Sequence, residues 1–456
     1  MNQLGRLTYS PAPRFQTSGQ DVWSGPPTSY SSHGISHPAG FESALDCILP
    51  TEFCFGCFLK QHADYECAKP ISSGTFLCHA SCPTVEPELE DTFRILNIAK
   101  YSLEGLLRLC RHEVFPYLVV IQNNIVTFAK CQNHPSGKTE FQRAMALLSV
   151  ISCAVKLPDI VFGFDGNDYA IPQASSPLKY TSNGYMHPLL GVLRFVGVQS
   201  SPTALFPTHP FVKASGFSSL ESKSIKDAMK LRERKDDEIP WEQLNNSLVW
   251  RGGSTGMPFD SDFTFMMPRP SLVKLASRER GFDVGFTTYD GVSSAMKAQG
   301  FEKDCPRAPF FEKNQFQKYR YLVHADGNTA SWGLSSKVFS NRVIVWVASS
   351  VGFREHYYSL LKPWKHFIPV QADLSNLLQI RDWLNSDSGI DEAKMIADRL
   401  KELRKMKFRP ENIWCYVIRL IESTAKLQDF SLIDHIPALK KEFEFRHVAF
   451  HIEKNG

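Results

Sequence analysis

The sequence predicts an α/β protein made of two units that alternate strands with helices, and three observations carry that reading. Tyr319, Tyr321 and Val323 alternate with Arg320, Leu322 and His324. The polar Asp326-Gly327-Asn328-Thr329 then ends the run, an unbroken Ser331 to Phe339 segment follows, and Val343 to Val347 is a second apolar run. That order is strand, turn, helix, strand, as a parallel βαβ unit requires. The second observation is an apolar strand in Leu157 to Phe164 that runs into the acidic Asp165-Gly166-Asn167-Asp168. The third is helical spacing: Ile95, Ala99, Leu103, Leu106 and Leu107, and again Phe141, Met145, Leu147, Leu148 and Ile151, fall on single faces that suit packing against a sheet.

A chain of 456 residues with 43% hydrophobic side chains has material for two or three cored domains. Its 51 basic and 47 acidic residues leave a net charge of +4, so nothing argues for nucleic acid as a bulk partner. No run reaches the roughly 18 apolar residues of a membrane span. Val114 to Val126 is the longest candidate, and Gln122-Asn123-Asn124 breaks it. Met1 to Gln20 has no apolar core of the kind a secretory signal needs, and Glu453-Lys454-Asn455-Gly456 is not a retention tetrapeptide.

In chain order, residues 1–40 are rich in Ser, Pro, Gly, Thr and His and read as a disordered leader. Residues 41–90 hold Cys47, Cys54, Cys57, Cys67, Cys78 and Cys82, a density that suits either a cross-linked subdomain or, with His62 and His79, a zinc site. Cys110 and Cys131 extend that network on the first reading, whereas Cys153, Cys305 and Cys415 read as core thiols. Residues 91–240 make the first α/β unit. Within it Tyr117 to Gln122 and Asn124 to Lys130 form a hairpin around Asn123-Asn124, and Ile225 to Glu238 is a charged helical face. Residues 241–408 make the second unit, and 409–456 hold a helix through Trp414, Val417, Ile418 and Ile421 followed by a tail. Asp373-Leu374-Ser375 starts a helix through Trp383, and Ala393, Ile396, Ala397, Leu400 and Leu403 mark another.

Three stretches suit chemistry. A diphosphate binds at the carboxyl end of a parallel strand, so the turn after His324 is a candidate, with Gly327 for close backbone approach and Asn328, Thr329 and Ser331 as donors. Leu248-Val249-Trp250 leads into Arg251-Gly252-Gly253-Ser254-Thr255-Gly256, a loop with a fixed positive charge and hydroxyl donors that suits an anionic leaving group. The acids after Phe164 lie where open α/β sheets place catalytic groups. Asp260-Ser261-Asp262 has the form of a metal-binding acidic pair, but two acids in a loop are common and no metal site is assigned to it.

The chain resembles glycosyltransferase family 90, which contains fungal capsule-associated xylosyltransferases and animal protein O-glucosyltransferases. The resemblance rests on Lys318-Tyr319-Arg320-Tyr321-Leu322, Asp326-Gly327, Glu355-His356-Tyr357-Tyr358, Leu361 through Val370 with its Pro363-Trp364-Lys365-His366-Phe367, and Asp373 to Leu377. It implies a GT-B fold, two Rossmann-like domains facing a cleft behind a disulfide-held cysteine-rich N-terminal region, with a helix of 409–456 returning to the first domain. It also implies inverting transfer from a UDP-sugar, UDP-glucose or UDP-xylose, to a hydroxyl of a protein or polysaccharide, with no cofactor and no essential metal.

By the same resemblance Asp168, in Asp168-Tyr169, is the general base that takes the acceptor's proton, with Asp165 in reserve. Arg251, Gly252, Ser254 and Thr255 lie against the donor, as do Asp326, Gly327, Asn328, Thr329, Ala330, Ser331 and Trp332, and Glu355 accepts from ribose hydroxyls. The chain departs from the family pattern at Gly333, where many members carry an arginine for the diphosphate; Lys337, one helical turn on, is placed to reach back. The family works in the ER and Golgi lumen, while the absence of a visible signal leaves a cytoplasmic location open.

Overall fold

The computed structural model describes residues 89, 93, 100–132, 138–166, 191–198, 204–208, 239–255, 268–290, 292, 300–327, 329–348, 352–408 and 410–447. The expectations for the leader, the cysteine window, Asp168, Asn328, the charged helix and Asp260-Ser261-Asp262 lie outside the described residues.

A first sheet has the order β13-β2-β1-β3-β4-β6, from β1 (Tyr117–Gln122), β2 (Ile125–Lys130), β3 (Ile160–Asp165), β4 (Val192–Arg194), β6 (Ala204–Leu205) and β13 (Arg446–His447). β1 and β2 are the expected hairpin, in register from Tyr117 opposite Lys130 to Gln122 opposite Ile125. Its turn residues Asn123 and Asn124 have φ of 49° and 62°, the left-handed pair that a two-residue hairpin turn uses and that asparagine tolerates. Asn124 also accepts from the Leu157 N–H at 2.9 Å and donates to the Val155 carbonyl at 3.2 Å, which fixes the entry to β3. β3, β4 and β6 run parallel.

Helices α1 (Leu103–Arg111) and α2 (Lys138–Ala154) bury their apolar faces on this sheet, with Tyr117 stacked on Phe141 at 3.6 Å between ring centroids. A disulfide joins Cys110 at the end of α1 to Cys131 beyond β2. Cys305 is a buried free thiol, as its apolar setting suggests. Cys415, expected as a core thiol, is disulfide-bonded instead, a pairing that helix periodicity cannot reveal.

The second sheet is wholly parallel. Its strands are β7 (Asn245–Gly253), β8 (Phe282–Thr288), β9 (Tyr319–His324), β10 (Val343–Val347) and β12 (Ile368–Val370), in the order β12-β10-β9-β7-β8. Helix α3 (Pro268–Ala276) links β7 to β8, and α4 (Gly333–Val338) links β9 to β10. β10 is buried along its whole length, as a strand covered on both faces must be. Phe367 packs on Trp346 at 4.8 Å and Trp364 meets Trp383 edge-on at 5.7 Å, so the aromatics of the Pro363 to Phe367 stretch brace the β12 edge.

Helix α5 (Leu377–Leu384) begins four residues after Asp373, because Asp373 caps the Ser375 N–H and Asn376 accepts from Gln371 in a turn that precedes it. Helix α6 (Asp387–Lys407) follows, with Ser386 capping Gly389. Helix α7 (Pro410–Ala425) sets Val417, Ile418, Leu420 and Ile421 into the core of the first sheet.

Several contacts link the two sheets. β5 (Gly197–Val198) pairs antiparallel with β11 (Phe353–Arg354), and the Thr208 hydroxyl donates to Glu355 at 2.6 Å in a buried setting. Within the first unit, Tyr416 of α7 donates to the Leu205 carbonyl of β6 at 2.7 Å.

Candidate active site at the strand switch point

Read in chain order, the second sheet is laid down 2-1-3-4-5: the chain goes outward from β7 to β8, then returns to the other side of β7 with β9. The direction of winding reverses between β7 and β9, and in open α/β sheets the crevice at the carboxyl ends of two such strands is the ligand site. Here those ends are Gly253-Ser254-Thr255 and Ala325-Asp326-Gly327.

One side chain bridges both. Arg269, at the start of α3 and 8% exposed, donates to the Ala325 carbonyl at 3.2 Å, to the Gly253 carbonyl at 3.1 Å and to the Thr255 hydroxyl. Its guanidinium lies 5.7 Å from the Trp250 ring. Burial lowers its pKa to about 10 against the pull of Asp326, so it stays cationic at neutral pH. Asp326 is 4% exposed, accepts from the Ser331 N–H at 2.9 Å and lies 3.3 Å from His324 Nε2. Burial pushes the His324 imidazole down to about 4, so at pH 7 it is neutral. Lys337 of α4 folds back so that Nζ donates to the Gly333 carbonyl at 3.3 Å, and burial beside Arg269 lowers it to about 8.

Two buried donors of the same turn, the Thr329 hydroxyl and the Trp332 indole N–H, have no acceptor among the described residues. The cluster therefore sets two cations against one acid and adds unmatched donors. Groups of this kind are costly to bury without a partner, and an anion with several acceptor oxygens satisfies them.

The residues picked from sequence fall into three groups. Asp326, Gly327, Thr329, Ser331, Trp332 and Lys337 come together at this crevice, and Thr255 joins them through Arg269. Ala330 is buried in the core of the first sheet, and Trp332 meets Phe195 edge-on at 6.3 Å, so the turn also contacts the first sheet's side. The rest are engaged elsewhere. Arg251 differs most from expectation: its guanidinium pairs with Asp283, donates to the Asp283 carbonyl at 2.6 Å and the Pro309 carbonyl at 3.1 Å, and lies over Phe311. Asp283 sits beside Val249, two residues back along the strand, so Arg251 reaches away from the carboxyl ends.

Ser254 is fully buried with its hydroxyl on the Asp290 carbonyl, and Gly252 lies against the Trp250 ring. Glu355 is fully buried and accepts from Thr208 and, at 3.4 Å, from Tyr358. On the first sheet Asp165 is locked at 2.7 and 3.1 Å by Arg194, both buried. Asp168 and Asn328 lie outside the described residues.

Sequence reading missed Arg269. The signal was an arginine between two prolines, Pro268-Arg269-Pro270, at the head of the helix that follows the Arg-Gly-Gly loop. Nothing local distinguishes it from a surface arginine, because its partners come from two strands more than 10 residues away in sequence.

The chain is 25% identical over 364 residues to human protein O-glucosyltransferase 3, covering 76% of this chain and 63% of that one. It is 25% identical to protein O-glucosyltransferase 2 of Danio rerio (80% and 67%) and 24% identical to O-glucosyltransferase rumi of Drosophila pseudoobscura pseudoobscura (84% and 87%). The chain thus spans about two thirds of the first two relatives' length. The family model described as glycosyl transferase family 90 matches residues 78–446. The chain belongs to glycosyl transferase family 90.

Proposed function

We propose that this glycosyltransferase moves glucose or xylose from UDP-glucose or UDP-xylose to a hydroxyl of a protein, with inversion and without a metal. The observation that carries the reading is the switch-point crevice, where Arg269 and Lys337 outnumber Asp326 and the Thr329 and Trp332 donors have no acceptor among the described residues. A diphosphate supplies the missing negative charge and oxygen atoms. The relatives' names, protein O-glucosyltransferases, favour glucose as the sugar and a protein as the acceptor over a polysaccharide.

In this reading the Asp168 carboxylate takes the proton of the acceptor hydroxyl as its oxygen attacks the anomeric carbon. The bond from that carbon to the β-phosphate oxygen breaks, its electron pair stays on UDP, and Arg269 and Lys337 stabilise the charge that develops there. The Asp165–Arg194 pair favours Asp168 as the base, since the Asp165 carboxylate is buried and already engaged by the Arg194 guanidinium. Arg251 supports the floor of the site from the far side of Trp250 rather than holding phosphate, and Glu355 contributes through Thr208 to the seam beside the ribose. The two sheets form the two domains of a GT-B enzyme facing a cleft. The Cys110–Cys131 disulfide supports a luminal, oxidising compartment.

The experiment is UDP release from UDP-glucose and UDP-xylose, with EDTA present, by wild type and Asp168→Asn. Release from one donor that the substitution abolishes, and that an acceptor protein accelerates, is the expected result. UDP binding without release from any donor would instead support a binding-only member, the reading that Gly333 in place of an arginine favours.

A further inference from the structure

The space over Gly333 is occupied by the end of another side chain. A Cβ at Gly333 would lie 3.2 Å from Lys337 Nζ, closer than an ordinary contact, so a side chain at position 333 would crowd the ammonium where it now sits. From there the ammonium donates to the Gly333 carbonyl at 3.3 Å, in the turn whose Thr329 and Trp332 donors have no acceptor among the described residues. Among the described residues that is its one hydrogen bond, which leaves two of its three N–H groups for another acceptor.

Resting on the donor-site reading above, we propose that Lys337 and Gly333 act as a pair: the gap at Gly333 admits the Lys337 ammonium as the second, titratable cation on the diphosphate, beside the permanent cation Arg269. The charged groups around Lys337 support this. Arg269 comes from α3, and Asp326 and the neutral His324 come from the end of β9. Arg404 of α6, packed against α4, is turned to the Phe339 carbonyl at 2.9 Å. Tyr358 is held well above its ordinary value by burial and so stays protonated. Lys337, lowered to about 8 mainly by burial, is then the group among these that changes charge just above neutrality. Nucleotide affinity is full while it is protonated and falls as pH rises through that value. An arginine at the same place would give no such dependence.

The test is calorimetric binding of UDP and of uridine at pH 7 and pH 9, with thermal unfolding as the control for folding. Wild type binds UDP about tenfold more weakly at pH 9, one unit above the lysine value, while uridine changes far less. Lys337→Met lowers UDP affinity at pH 7 about tenfold and removes the difference between the two pH values, whereas Lys337→Arg keeps the affinity and is flat with pH. Gly333→Ala, whose Cβ crowds Nζ, weakens UDP and spares uridine. The double variant Gly333→Arg with Lys337→Met restores tight, pH-independent binding. UDP binding that is unchanged in Lys337→Met and Gly333→Ala overturns the pairing alone and leaves the donor site standing. Failure of wild type to bind either UDP or uridine overturns the donor site and the pairing with it.

Discussion

Arg269 and Gly327 approach each other so closely that a Cβ on Gly327 would lie 2.8 Å from the guanidinium carbon and from Nη1. The glycine of the Asp-Gly pair therefore makes room for a buried protein cation, which in turn faces the crevice.

Gly327→Ala will push the guanidinium off the Ala325 and Gly253 carbonyls. Overpacking of this kind costs about 1–3 kcal/mol, and UDP affinity should fall about tenfold because the charge moves with the side chain. Thermal unfolding and UDP titration check it together; a variant as stable and as tight-binding as wild type would remove Arg269 from the donor site.

Asp165→Asn and Asp168→Asn should part company. Breaking the Asp165–Arg194 pair leaves a buried guanidinium uncompensated, at a cost of about 3–5 kcal/mol. Asp168→Asn should leave the denaturation midpoint within about 0.5 kcal/mol of wild type while abolishing sugar transfer. Equal losses of stability in both would argue against the separate roles.

Thr208→Val removes the hydroxyl that donates to the buried Glu355 and leaves that carboxylate short of a partner. Hydrogen bonds to charged groups contribute about 1.5–3 kcal/mol, so the midpoint of urea unfolding should drop by that order. Since the bond joins a segment beyond β6 to one beyond β11, limited proteolysis between the two sheets should also speed up. A variant cleaved at the wild-type rate would show that this bond does not hold the seam.

Acid should destabilise the fold early. His324, His356 and His366 are buried, and burial lowers them from 6.5 to about 4, 3 and 4. The unfolded chain therefore binds more protons than the native one below about pH 6.5, and stability falls as pH decreases through that window. Urea midpoints at pH 7.5, 6.0 and 5.0 should decline in that order; a flat profile would mean that the three rings accept protons without loss of packing.

Much of this was legible in the chain. The β1–β2 hairpin, β9 and β10 with the turn between them, and helices α6 and α7 follow from alternation, from 3.6-residue spacing and from Asn123-Asn124, since each is decided by neighbours within one or two turns. Asp326, Gly327, Thr329 and Trp332 were legible for the same reason: they form one short turn at the end of one strand.

What tertiary structure decided is which cation faces that turn. Arg251 stands in the more suggestive motif, yet a strand residue's side chain goes where its sheet neighbours accept it, and the Asp283 carboxylate took it backwards along the strand. Arg269 sits in an unremarkable Pro-Arg-Pro and reaches the crevice because the order β8-β7-β9 brings the ends of β7 and β9 side by side beneath α3. Sequence by itself determined the elements, the family and the turn, because those are local patterns. Strand order, which converts the turn and a distant arginine into one buried, positively charged crevice, is a long-range property set by which strands pair, and only the folded chain decided it.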